Sequence, residues 1–277
     1  MGSANDMAKT ILITGANTGI GRVTAEELAK SGHRVFLACR SLEKTQPVID
    51  GIRAAGGFAE FLALDLGDLD SVRSCAEAFL AKSEPLSVLI NNAGLAGQKG
   101  FTKSGFELAF GTNHVGHFLF TNLLLPKLRE SEGARVVNVS SQGHYRAPGI
   151  DWEAIKKPTA TATGFPEYCV SKLANVLHAN ELARREGDKV RTYSLHPGGV
   201  ASDVWRGVPW GLRHVLKLFL KSNEEGALTT LHCATSDAAG RETGLYYDEC
   251  KVKRASKVAL DTSLAAELWK RSEDWVK

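Results

Sequence analysis

Short runs of β-branched and apolar residues alternate along the chain with segments of helical periodicity. The run TILIT (10–14) precedes GRVTAEELAKSG, whose pattern stops at Gly32. HRVFLACR (33–40) precedes SLEKTQPVIDGIRAAGG, and AEFLALDL (59–66) precedes DLDSVRSCAEAFLAKS. LSVLINNAG (86–94) leads into a helical stretch reaching about Arg129. ARVVNVSS (134–141), KVRTYSLHPG (189–198) and GLYYDE (244–249) supply three further strands. Near-continuous apolar strands separated by helices predict a parallel sheet covered on both faces. The economical architecture is one α/β, doubly wound domain over 1–277, with roughly seven parallel strands and helices on both faces.

Composition narrows the classes. At 277 residues the chain can bury a large core, and a net charge of +3 is too mild and too evenly spread for nucleic-acid binding. Five scattered cysteines, none in CxxC spacing, indicate neither a zinc site nor a disulfide framework and fit a reducing compartment. The opening MGSANDMAK has no apolar core of a signal peptide, and residues 1–8 are expected to be disordered or left by a tag, with Met7 the natural start. No run approaches the ~18 apolar residues of a membrane span. The expectation is a soluble, cytoplasmic protein with no metal.

Candidate chemistry begins at the first strand–helix junction, TGANTGIG (14–21). Glycines there let the backbone approach a pyrophosphate, and the helix N-terminus favours the anion, as in a Rossmann-type domain. The spacing is GxxxGxG, a variant of the usual fingerprint. An NAD enzyme would place Asp or Glu about 20 residues on. This chain has Cys39 there, followed by Arg40, whose guanidinium would pair with a 2′-phosphate. NADP(H) is therefore the expected cofactor. At the end of the third strand, Asp65, with Leu66 beside it, is placed to accept from the adenine amino group. Asn92, Ala93 and Gly94 of NNAG end the fourth strand on the same carboxyl edge.

TGANTGIG, NNAG, TNHVGHF, NVSS, YCVSK and HPGG follow one another in the order and spacing of the short-chain dehydrogenase/reductase family. The chain resembles that family from about residue 9 to 250. ACR, NHVGHFLFTNLLLP and SKLANVL look most like its retinol dehydrogenase branch, which is mostly NADP(H)-linked. The resemblance implies a catalytic set. Tyr168 would be the general acid–base; Lys172 would bind the nicotinamide ribose and lower the tyrosine pKa. Ser141 would orient the substrate oxygen, and Asn113 would hold a backbone kink and a water of a proton relay. Gly15, Asn17, Thr18, Gly19, Ile20 and Gly21 would line the pyrophosphate, and Pro197, Gly198, Val200 and Ser202 would face the nicotinamide. HPGGVAS departs from the pattern: Gly199 adds a flexible position, and Ser202 stands where many relatives have Thr.

The implied reaction interconverts an alcohol and an aldehyde or ketone. A free Tyr titrates near 10, and bringing it to neutrality needs ~4 kcal/mol of preferential phenolate stabilisation, which a neighbouring ammonium can largely supply. No GxSxG elbow supports a hydrolase, and His114, His117 and His196 read as packing or strand-end residues. The stretch 203–222, with Trp205, Trp210, Leu216, Leu218 and Phe219 among basic residues, reads as a lid over an apolar, retinoid-, steroid- or lipid-like substrate. It reads alternatively as an amphipathic helix in peripheral contact with a membrane or a partner. The C-terminal LAAELWKRSEDWV reads as a docking helix for the body or another subunit. Family relatives pair through the long helices after the fourth and fifth strands, which implies a homodimer or homotetramer. A nucleotide-binding regulator or scaffold without turnover is the competing function.

Overall fold

Strand β1 (Thr10–Thr14) lies inside the sheet, and its alternation explains its uninterrupted apolar sequence. Ile11 and Ile13 face one core layer while Leu12 faces the other, and all three are fully buried. The computed structural model describes residues 8–198 and 222–277. Around β1 the order is β3-β2-β1-β4-β5-β6-β7-β8, formed by β2 (Arg34–Cys39), β3 (Phe58–Ala63), β4 (Val88–Asn91), β5 (Ala134–Val139), β6 (Val190–His196), β7 (Leu245–Asp248) and β8 (Lys251–Lys253). The order reverses between β1 and β4, which opens a crevice at their carboxyl ends.

Among the described residues seven strands are parallel, and β8 returns antiparallel on β7. This eighth strand exceeds the roughly seven that periodicity suggests. Its three residues, Lys-Val-Lys, are all exposed and carry no apolar signature. The turn before it places Glu249 and Cys250 at φ 52° and 59°, a conformation usually signalled by Asn or Gly. Two lysines on a short edge strand discourage pairing with another chain.

One face of the sheet carries α1 (Gly19–Lys30), α2 (Leu42–Ala54) and α7 (Asn223–Thr235). The other carries α3 (Leu69–Leu80), α5 (Gly116–Arg129), α6 (Phe165–Glu186) and α8 (Thr262–Trp275). A short α4 (Leu108–Phe110) runs into α5 through a π turn, Gly111–Val115. The kink implied at Asn113 is thus a widened helical turn. Gly116 lets this segment lie against the β3–α3 loop, since a Cβ there would sit 2.3 Å from the Leu66 carbonyl oxygen.

The C-terminal helix docks on the body. Trp269 meets Phe118 edge-on at 5.0 Å and His178 at 5.7 Å, and the Arg185 guanidinium lies 4.5 Å over its ring. Trp275 packs against Phe106, Phe110 and Trp152. Among the described residues no helix is long and apolar enough to cross a membrane.

His114 in the π turn, His117 on α5 and His178 on α6 are buried. Burial pushes His117 down to about 4 and His178 to about 3, and holds His114 well below its usual range. Unfolded histidines bind protons from about pH 6.5 downward, whereas these folded rings do not. Their contribution to stability is therefore complete above that pH and is lost as the pH falls towards 4. Melting temperatures should decline over this window, and less steeply in His178→Phe. Parallel profiles for the two proteins would contradict burial of a neutral His178.

Candidate active site

The β1–α1 loop shapes the nucleotide end. Gly15 has φ 67° and faces β4's end so closely that a Cβ would lie 2.9 Å from Ala93 Cα. At Gly21 an added Cβ would meet the Gly15 carbonyl oxygen at 2.4 Å. The backbone between them turns into α1 at Thr18, so that Gly19, Ile20 and Gly21 bring the start of the helix to the crevice. Thr14, which the motif reading passed over, ties the loop to β4. Its hydroxyl accepts the Asn92 and Ala93 amides at 3.0 and 2.9 Å, while Asn92 Nδ2 donates to the Thr14 carbonyl at 2.8 Å.

A cavity of about 520 Å³ follows this edge of the sheet. Its walls include Gly15, Asn17, Thr18, Gly19, Ile20, Gly21, Arg40, Asp65, Leu66, Asn92, Ala93, Gly94, Ser141, Tyr168, Lys172, Pro197 and Gly198. These predicted site residues, drawn from segments between β1 and the loop after β6, therefore share one space. Asn113 stands just behind it. Val200, Ser202 and the stretch 203–221 lie outside the described residues.

Arg40 is exposed at the cavity rim, past the end of β2. The Cys39 thiol turns inward, hydrogen bonded to Thr45 and to the Gly15, Ala16 and Asn17 amides, and burial pushes its pKa up. Asp65 accepts the Gly67 amide at 2.9 Å. Beside it Lys103, from the loop after β4, pairs with Asp68 at 2.6 Å and lines the cavity. No sequence signal marks Lys103, because loop position has no periodicity.

At the other end stands α6, started by Gly164 at φ 63° with a proline in its first turn. The i, i+4 spacing puts Tyr168 and Lys172 on one helix face. The phenol is hydrogen bonded to the Ser141 hydroxyl, and Ser141 Oγ also accepts the Gly143 amide at 3.0 Å. Lys172 Nζ donates to the Val139 carbonyl at 2.9 Å and lies 5.7 Å from the centre of the Tyr168 ring. Burial dominates both groups: it pushes the phenol up to about 12, against the Ser141 hydrogen bond, and the lysine down to about 8. Desolvation disfavours the charged form of each group.

Asn113 is fully buried. Its Oδ1 accepts the Leu95 amide at 3.0 Å, and its Nδ2 donates to the Leu95 carbonyl at 3.0 Å and to Ser171 Oγ at 2.9 Å. A Cβ on Gly94 would lie 3.3 Å from both Asn113 Oδ1 and Lys172 Nζ, so a side chain at 94 would come between them and the cavity.

The family model described as short chain dehydrogenase matches residues 9–154. Human retinol dehydrogenase 11 is 43% identical over 273 residues, covering 96% of this chain and 85% of its own. Bovine dehydrogenase/reductase SDR family member 13 is 42% identical, covering 98% of this chain and 74% of its own. Among solved structures, a putative uncharacterized protein from Mycobacterium paratuberculosis superposes with a TM-score of 0.77 at 34% identity, over 97% of this chain and 93% of that one. With the family model matching more than half of the chain and relatives above 40% identical over nearly all of it, the chain belongs to the short-chain dehydrogenase family of oxidoreductases.

Proposed function

We propose that the protein is an NADP(H)-dependent oxidoreductase that interconverts an apolar alcohol with its aldehyde or ketone. The observation that carries this reading is the single cavity with an anion-favouring glycine loop at one end and Ser141, Tyr168 and Lys172 at the other. The cradle suits a dinucleotide, because Gly15, Gly19 and Gly21 of the first βα turn line it without side chains, leaving room for a pyrophosphate to approach the backbone. The α1 amides would hold the pyrophosphate, Asp65 the adenine, Lys172 the nicotinamide ribose, and Pro197 and Gly198 the nicotinamide end. When bound, the cofactor supplies or accepts the hydride.

The protein groups handle the proton. In reduction, neutral Tyr168 donates its proton to the carbonyl oxygen; in oxidation, its phenolate accepts the proton of the alcohol. Ser141 hydrogen bonds the same oxygen and fixes its approach. The cationic form of Lys172 stabilises the phenolate, so loss of its proton above about pH 8 weakens that support. Trp205, Trp210, Leu216, Leu218 and Phe219 favour an apolar substrate by composition, and the names of relatives such as retinol dehydrogenase 11 point the same way.

NADPH oxidation with a panel of apolar aldehydes and ketones tests the reaction. Cofactor choice is tested separately by Arg40→Ala. Loss of one charge-assisted contact at an exposed rim should raise the KM for NADPH about tenfold, equivalent to ~1.4 kcal/mol, with little change for NADH. Equal effects on the two cofactors would remove Arg40 from the phosphate site.

A further inference from the structure

His117 reaches both ends of the site without touching the cavity. It is buried in α5, with Nε2 2.8 Å from Thr14 Oγ1 and Nδ1 3.0 Å from the Asn113 carbonyl oxygen. The surrounding groups leave one proton arrangement. The Thr14 hydroxyl already accepts two amides, from Asn92 and Ala93, which fill its lone pairs. Its own proton must point outward, and the Ile90 carbonyl, at 3.5 Å, is a poor acceptor beside Nε2 at 2.8 Å. Nε2 therefore accepts, and Nδ1 carries the hydrogen that donates to the Asn113 carbonyl, which can only accept.

We infer that His117, held as the neutral Nδ1–H tautomer, is a positioning residue that couples the cofactor edge of the cavity to the backbone carbonyl of Asn113. One arm, through Thr14, sets Asn92 and Ala93, which line the cavity beside the glycine loop. The other orients the carbonyl of a residue in the π turn, where the ordinary helical ladder is disturbed. The Asn113 side chain is fixed independently by Leu95 and Ser171, so His117 is the side chain that holds its main-chain side. The arrangement requires a neutral ring, because a second N–H at Nε2 would meet a hydroxyl with no lone pair to offer. The titratable groups facing His117 are Lys172, His114 and His178, and burial together with the Lys172 charge keeps its ring unprotonated at neutral pH.

The catalytic half of this inference rests on the oxidoreductase reading above; the binding half does not. Three variants separate the arms. His117→Asn retains a donor near the Nδ1 position, His117→Gln retains a polar end near the Nε2 position, and His117→Leu retains neither. NADPH dissociation constants are read by fluorescence titration, and kcat and carbonyl KM by turnover, at matched melting temperatures. His117→Leu should weaken NADPH binding several-fold and lower kcat about 10-fold to 100-fold, with KM for the carbonyl little changed. His117→Asn should restore kcat but not NADPH affinity, and His117→Gln the reverse. Should the leucine variant not fold, the contrast between Asn and Gln still decides. The coupling is refuted if Asn and Gln behave alike in both readouts, whether both match the wild type or both match leucine. Absence of turnover in the wild type would overturn the oxidoreductase reading alone, since the NADPH affinities would still report on the Thr14 arm.

Discussion

Replacing Tyr168 by Phe should leave a folded protein that binds NADPH with near wild-type affinity and turns over about 10²–10⁴ times more slowly. The size follows from what else in the cavity can move a proton. Ser141 offers only an aliphatic hydroxyl, a much weaker acid than a phenol, and Lys172 Nζ is turned to the Val139 carbonyl. Neither replaces an acid that sits on the cavity wall beside the substrate oxygen. Stability should change little, because Phe keeps the ring that stacks on Phe165 at 6.0 Å. The pH dependence has a definite sign: reduction needs the neutral phenol and declines as pH rises, whereas oxidation needs the phenolate and rises. A Tyr168→Phe protein within threefold of wild type in kcat would remove the tyrosine from the reaction. No turnover by either protein despite tight NADPH binding would favour a nucleotide-binding regulator.

Phe118→Ala should cost ~3–5 kcal/mol of stability, the range for truncating a fully buried aromatic whose site cannot collapse. Phe118 is 0% exposed and stands where three helices meet, touching Trp269 at 5.0 Å, His178 at 5.4 Å and His114 at 6.0 Å. Those neighbours are rigid rings on α8, α6 and the π turn, so a void would remain. At ~2–4 °C per kcal/mol for a domain of this order, the melting temperature should fall by roughly 6–20 °C. Phe118 lies in the same helical segment as Asn113 and His117, so residual activity near the midpoint should fall before global unfolding. A loss under ~1 kcal/mol would mean that α8 is not part of the core, contrary to the packing of Trp269.

The motifs of the nucleotide end were legible because they are local. A glycine loop between a strand and a helix, or a Tyr and Lys one turn apart, declares its geometry through spacing alone. Thr14 and His117 were not legible. Their polar side chains lie in apolar stretches, TILIT and NHVGHFLF, and each acquires a role only through a partner some hundred positions away, with |i−j| of 103 for their hydrogen bond. Lys103 escaped for the same reason, since its partner Asp68 comes from another loop. Strand β8 escaped because three exposed residues need no apolar face.

The chain's periodicity and glycine spacing were enough for the layered parallel sheet and the first βα turn, since these depend on local backbone geometry and on burial of whole faces; the candidate residues along its carboxyl edge came from motif resemblance. Tertiary structure alone decided the protonation and orientation of the groups at that edge. Burial is the largest influence on the protonation of Tyr168 and Lys172. Asn113 is aimed by a π turn, and His117 is held to one tautomer by a threonine from another strand. Desolvation and hydrogen-bond partnership depend on everything within a few ångströms, and no pattern along one chain encodes that neighbourhood.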